Sequence, residues 1–204
     1  MDIITFDDNH LQINEYQPKS VDEHNEFWQE IVNKYTGYSV DFCYHNREAP
    51  VDYMKMINAK LLEDCIEFRL LYHNVSLSLD DSLMVITTLN FDLFSRMHDV
   101  MNPDMFWSSE KIRLDIKHWY IIVSNNSYIL MNIKNETAEI YTLKAEDSQK
   151  GIILLSAAAS FAFNTGKSGV LYMIDSDASI ETELARLTGF IENGTYTAYR
   201  CVAG

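Results

Sequence analysis

Cysteine is scarce in this chain, and where it occurs it makes no pattern. Cys43, Cys65 and Cys201 are odd in number and form no CxxC pair. That argues against a disulfide framework and against a zinc site. The six histidines (His10, His24, His45, His73, His98 and His118) fall at neither the HxxxH nor the HExxH spacing that brings two imidazoles onto one metal. Proline occurs only three times, and 47% of residues are hydrophobic against 23% charged, which excludes disorder as the main state. No GxSxG elbow, Walker loop or GxGxxG turn is present. Long apolar runs are missing too. The longest mostly apolar stretch, Gly151–Phe163, holds two serines and is too short to span a membrane. The N-terminal MDIITFDDNH is acidic and lacks the apolar core of a signal peptide. These absences lead us to expect a soluble, intracellular, cytoplasmic protein.

Basic residues are also in deficit. Lys and Arg number 16 against 30 Asp and Glu, giving a net charge of −14 over 204 residues. Nucleic acid is thereby excluded as a partner, because neutralising phosphates takes clustered cations. An anionic membrane surface is disfavoured for the same reason. A cationic substrate or a basic partner would be attracted, although the same imbalance also serves ordinary solubility.

What is present is regular periodicity. Ile3–Phe6 and Leu11–Asn14 alternate around a polar break at Asp7-Asp8-Asn9, as a strand pair does. Ser20 with Glu23 forms a capping-box pattern, and Phe27, Trp28, Ile31, Val32 and Tyr35 follow at helical spacing up to Gly37. A strand is expected over Tyr38–Tyr44, a helix from near Pro50 through Tyr53, Met54, Ile57, Leu61 and Leu62, and a strand over Ile66–Tyr72. The polar stretch His73–Asp81 reads as a boundary, which divides the chain into residues 1–79 and 80–204. Beyond it a strand over Leu83–Thr88 precedes helices over Phe91–Val100 and Glu110–His118. Strands follow at Trp119–Val123, Tyr128–Ile133 and Glu139–Ala145, then a helix, a strand over Gly169–Ile174, a helix over Ala178–Leu187 and a strand over Thr195–Val202. A meander followed by a crossover implies a mixed sheet in an α/β fold. Residues 21–72 and 149–202 share the order helix, strand, helix, strand, which points to an internal duplication.

The richest stretch is Glu139–Phe190, in which a strand leads through Ser148–Gly151 into a helix. A helix N-terminus offers amides and a positive dipole end to an anion. The sequence TAEIYTLKA, the turn Ser148-Gln149-Lys150-Gly151-Ile152-Ile153 and the ending Leu187-Thr188-Gly189-Phe190 together resemble the GNAT superfamily of acyl-CoA-dependent N-acyltransferases. The resemblance covers residues 83–204 as a whole domain and residues 1–79 as the later half of a second, so a tandem arrangement with an incomplete N-terminal half is expected. Asn46, Ala49 and Tyr53 keep the family's spacing in that half, but its helix start, Gln17–Asp22, has no glycine and carries acid where phosphate would bind.

By this resemblance the protein is an N-acetyltransferase that moves an acetyl group from acetyl-CoA to a primary amine of a small molecule or protein. Glu139 stands where some members carry a general base. Leu143, Lys144 and Ala145 stand where the strand backbone holds pantetheine. Gln149, Lys150, Gly151 and Ile152 stand at the pyrophosphate loop, and Asp177 near the position of a pantetheine-contacting asparagine. A homodimer is compatible with the family. Four departures are visible: Ser148 replaces Arg or Gln, Ile153 replaces a small residue, the asparagine is replaced around Asp177-Ala178, and Ala185 replaces the tyrosine that serves as general acid. They leave an alternative, a catalytically inactive GNAT-fold module for binding or interaction.

Overall fold

The computed structural model describes residues 1–6, 9–71, 83–103, 105 and 107–204. They form ten strands and six α-helices in an α/β arrangement with mixed strand directions. The expected boundary at 73–81 and the turn residues Asp7 and Asp8 lie outside the described residues. The chain divides into two compact units, one made of residues 1–67 with 194–204 and the other of residues 68–193.

In the first unit, β1 (Asp2–Phe6) pairs antiparallel with β2 (His10–Asn14), and β2 pairs parallel with β3 (Ser39–His45). The last strand of the chain, β10 (Ile191–Val202), lies antiparallel to β3 with Tyr196 opposite His45 and Val202 opposite Ser39. Alternation buries Leu11, Ile13, Val40, Phe42 and Tyr44 on one sheet face, where α1 (Val21–Tyr35) contributes Ile31 and α2 (Val51–Met56) contributes Met54. Ser20 caps α1 by accepting from the Glu23 amide at 3.1 Å, while the Glu23 carboxylate accepts from the Lys19 amide at 2.8 Å. The other sheet face carries a charged cluster. Arg200 donates from Nε and Nη2 to the two oxygens of Asp41 at 2.6 and 2.7 Å, and His10 Nε2 lies 2.9 Å from the same carboxylate.

Helix α2 is shorter than its apolar spacing predicts. Asn58 takes the left-handed conformation at φ 56°, and the Ala59 amide folds back to the Met54 carbonyl at 2.9 Å. Asparagine tolerates that conformation because its short polar side chain bonds locally. The helix therefore closes, and Leu61 and Leu62 fall in β4 (Lys60–Leu70), where both are exposed.

In the second unit, β5 (Met84–Val85), β6 (Trp119–Ser124), β7 (Ser127–Asn132) and β8 (Thr137–Lys144) form an antiparallel meander. Helix α5 (Ser148–Asn164) crosses over to β9 (Gly169–Asp175), which pairs parallel with β8, and α6 (Ser179–Leu187) follows. The small residues Ala157, Ala158, Ala159 and Ala162 are buried and let α5 lie close to the sheet. On the opposite face α3 (Phe91–Met101) and α4 (Ser109–Leu114) enclose Phe91, Phe94, Ile112, Trp119, Ile121, Tyr128 and Leu130. The sequence of elements α1-β3-α2-β4 is repeated by α5-β9-α6-β10, as the two similar segments lead one to expect.

Candidate active site

The site is built around a fork between two parallel strands. The β8–β9 register runs from Thr137 opposite Gly169 to Ile140 opposite Tyr172 and stops there. Both strands continue, β8 through Lys144 and β9 through Asp175. Just past the last pair, β8 contains a bulge. Leu130 of β7 faces Thr142 and Met131 faces Ile140, so Tyr141 is the extra residue of the bulge. The bulge marks the point where β8 leaves its partner, and the β8–β9 register does not extend to Tyr141–Lys144 among the described residues. Crevices at the carboxyl ends of parallel strands are where open α/β sheets bind ligands.

Glu139 lies on β8 one residue before the fork, opposite Asn132 on β7 and Leu171 on β9, and is half-buried. Its Oε2 accepts a hydrogen bond from the Tyr141 hydroxyl at 2.9 Å. Strand alternation places Glu139 and Tyr141 on the face covered by α3 and α4, and the bulge adds Thr142, whose hydroxyl points to Met105 Sδ at 3.4 Å. Tyr141, Trp107 and Trp119 pack edge to face in a three-ring cluster, with centroids 5.1 to 5.9 Å apart. The residue before Trp107, Phe106, lies outside the described residues.

The expected cofactor residues gather at the open end of the fork. Leu143 is buried opposite Ile129, Lys144 is half-buried opposite Tyr128, and Ala145 is exposed at the strand's end. Asp147 caps α5, its carboxylate accepting from the Lys150 amide at 2.7 Å and its carbonyl from the Gly151 amide at 3.0 Å. Ser148 and Gln149 then carry the two first-turn amides that have no acceptor within the helix. The Lys150 ammonium donates to Ser124 Oγ at 3.0 Å. Ile152 and Ile153 are half-buried. Gly151 is buried, and a Cβ there would meet Leu184 Cδ1 of α6 at 2.6 Å, so this glycine serves helix packing. Asp177 is exposed in the β9–α6 loop, where its carbonyl accepts from the Ser179 amide at 2.9 Å. Because β8 and β9 run parallel, that loop and the 145–150 loop share one end of the sheet. Ala185 is fully buried and supplies no hydroxyl.

Two features went unread in the sequence. Tyr172, at the last paired position of β9, donates to Glu181 of α6 at 2.8 Å, and burial raises its phenol well above the ordinary tyrosine value. His98 is fully buried behind the aromatic cluster. Its Nε2 lies 2.7 Å from the Trp107 carbonyl, which can only accept, so the neutral ring carries its proton there. Its Nδ1 then accepts from the Tyr128 hydroxyl at 3.0 Å, and Asn102 donates to the same hydroxyl at 2.5 Å.

Burial pushes His98 below the ordinary value of 6.5, against a smaller opposing contribution from the Trp107 carbonyl, and burial also lowers His24. A lowered value means that the fold favours neutral imidazole. That stability is fully present above pH 6.5 and is lost as pH falls from there toward the folded-state values. We expect the urea midpoint to be lower at pH 5 than at pH 7.5. Replacing His98 with Gln, which keeps a donor and an acceptor, is expected to flatten the dependence; an unchanged slope would place it elsewhere.

No protein-family model and no curated protein matches the sequence. Solved structures do match. A GCN5-related N-acetyltransferase from Sphaerobacter thermophilus superimposes with a TM-score of 0.60 at 12% identity, over 99% of this chain and 76% of that one. A conserved protein of unknown function from Staphylococcus epidermidis gives 0.61 at 10% identity, over 94% and 82%. A tandem GNAT protein of the clavulanic acid biosynthesis pathway gives 0.57 at 9% identity, over 96% and 76%. With its mixed sheet, its crossover helix and its match to these structures along nearly its whole length, this chain has the fold of the GCN5-related N-acetyltransferases.

Proposed function

We propose that this protein is an acyl-CoA-dependent N-acyltransferase that moves an acetyl group from acetyl-CoA to a primary amine of a small molecule or protein. The fork beside Glu139 carries the reading. It offers strand backbone beyond the last β8–β9 pair, at Tyr141–Lys144, for an extended pantetheine chain, and the Ser148 and Gln149 amides for a pyrophosphate, at the same end of the sheet. Acetyl-CoA would supply the activated acyl thioester. Glu139 takes the proton of the incoming ammonium, directly or through water, so that neutral nitrogen meets the thioester carbonyl. The Tyr141–Trp107–Trp119 cluster walls the acceptor side. Ala185 offers no acid, so the leaving thiolate draws its proton from solvent. The negative surface favours a cationic acceptor.

Asp147 bears on the donor end. Its carboxylate holds the Lys150 amide beside the proposed pyrophosphate site. Unit charges about 4 Å apart in water repel by about 1 kcal/mol. Calorimetric titration with acetyl-CoA is expected to show binding that dephosphorylated pantetheine does not reproduce. Asp147→Ser, which keeps a capping oxygen and removes the charge, is expected to tighten it about fivefold. No heat at millimolar acetyl-CoA with either protein would refute the donor assignment and leave an inactive GNAT-fold module.

A further inference from the structure

Tyr141 is the residue that the bulge adds to β8, and its side chain is fixed at both ends. The phenol donates to Glu139 Oε2 at 2.9 Å. The ring lies edge-on to Trp107 and Trp119, with centroids 5.9 and 5.3 Å away and interplanar angles of 79° and 64°. Trp119 is in turn buried in β6, where it stands opposite Asn132, the residue that also faces Glu139. A strand glutamate has three rotatable bonds, and holding it in one rotamer costs side-chain entropy that its contacts must offset. A hydrogen bond to a carboxylate is stronger than one between neutral groups, and it carries orientation only if its donor is itself immobile. The two indoles supply that immobility.

We propose that Tyr141 is a positioning residue, held by Trp107 and Trp119, that orients the Glu139 carboxylate through its Oε2. This rests on the reading of Glu139 as the base. The bulge is what makes the arrangement work. It gives β8 the extra residue that turns Tyr141 and Thr142 onto the same face, so the phenol reaches back to Glu139 while the strand leaves the ladder. Backbone divergence and orientation of the carboxylate thus come from one insertion. The expected consequence is a Glu139 side chain that is ordered before any substrate binds.

The test uses the whole protein without ligand, labelled with carbon-13 at the glutamate side-chain carboxyl and assigned by the signal lost in Glu139→Gln. The wild type is expected to give one narrow Glu139 resonance. Tyr141→Phe, which keeps the ring and its packing, is expected to shift and broaden it, with the thermal midpoint unchanged. A Glu139 resonance of the same position and width in Tyr141→Phe would overturn the proposal. Should that variant fold poorly, the reciprocal experiment decides. The tyrosine ring carbon bearing the hydroxyl is labelled, and Glu139→Gln is expected to move the Tyr141 signal; an unmoved signal would again overturn the proposal. Neither readout depends on catalysis. A failed acetyl-CoA titration would therefore count against the proposed function and leave this arrangement standing, while an unmoved resonance would do the reverse.

Discussion

Glu139→Gln is expected to lower kcat for acetyl transfer by about 10²–10⁴-fold, the range a positioned general base contributes. The affinity for acetyl-CoA is expected to stay within about twofold, because the donor contacts proposed above are backbone groups of the fork and of the first turn of α5. The substitution is nearly isosteric. Glutamine keeps an oxygen that accepts from the Tyr141 hydroxyl, and the side chain sits on a strand laddered to β7 on one side and β9 on the other. The change therefore removes proton affinity with little change in shape. An amine at neutral pH arrives mostly as an ammonium and cannot attack until it is deprotonated, so loss of the base falls on kcat. Steady-state thiol release from acetyl-CoA, measured over a set of primary amines, gives the result. Equal turnover by both proteins would remove Glu139 from the mechanism. No turnover by either, with acetyl-CoA bound, would favour a binding module.

Phe94→Ala is expected to destabilise the protein by about 3–5 kcal/mol, the usual cost of removing a fully enclosed aromatic ring. Phe94 has no exposed surface. It meets Phe91 and Tyr128 edge to face, each with centroids 5.4 Å apart, and stacks on His98 at 4.8 Å. Its partners are held by hydrogen bonds to Trp107 and Asn102, so they are poorly able to collapse into the cavity. Phe161 makes the contrast. It stacks flat on Tyr120 at 3.5 Å but is only half-buried. Its replacement by alanine is expected to cost roughly half as much. Chemical denaturation of both variants gives the comparison. A Phe94→Ala cost below about 1.5 kcal/mol would mean that α3 does not pack on β7 as described.

The elements that the sequence revealed were those whose periodicity was clean. The alternation of TAEIYTLKA, the capping box at Ser20 and the small-residue helix after Asp147 each returned as the expected strand or helix. Helix α2 was over-extended because Leu61 and Leu62 continue a helical spacing, while the stop signal is a single asparagine whose left-handed backbone no spacing reveals. Glu139 was singled out from its motif. Its hydroxyl partner was two residues away on the same strand face and went unread, because the bulge at Tyr141 depends on a register shift against β7. The His98–Tyr128 bond joins residues 30 apart, and only packing of α3 onto the sheet brings them together. Gly151 was read as a phosphate-loop glycine; its surroundings give it a second reason to exist, the approach of Leu184.

The position of β10 has a consequence for the order of events during synthesis. The first unit is assembled from residues 1–67 and 194–204, so the chain between them is translated before that unit is complete. Asp41 waits for Arg200, 159 residues later, and at about 5–20 residues per second the wait is roughly 10–30 s. For that time one edge of β3 has no strand beside it, and an open edge is a template for foreign strands. Residues 68–193 face no such delay, since every segment of that unit is contiguous. On the ribosome, the second unit is therefore free to finish folding before the first.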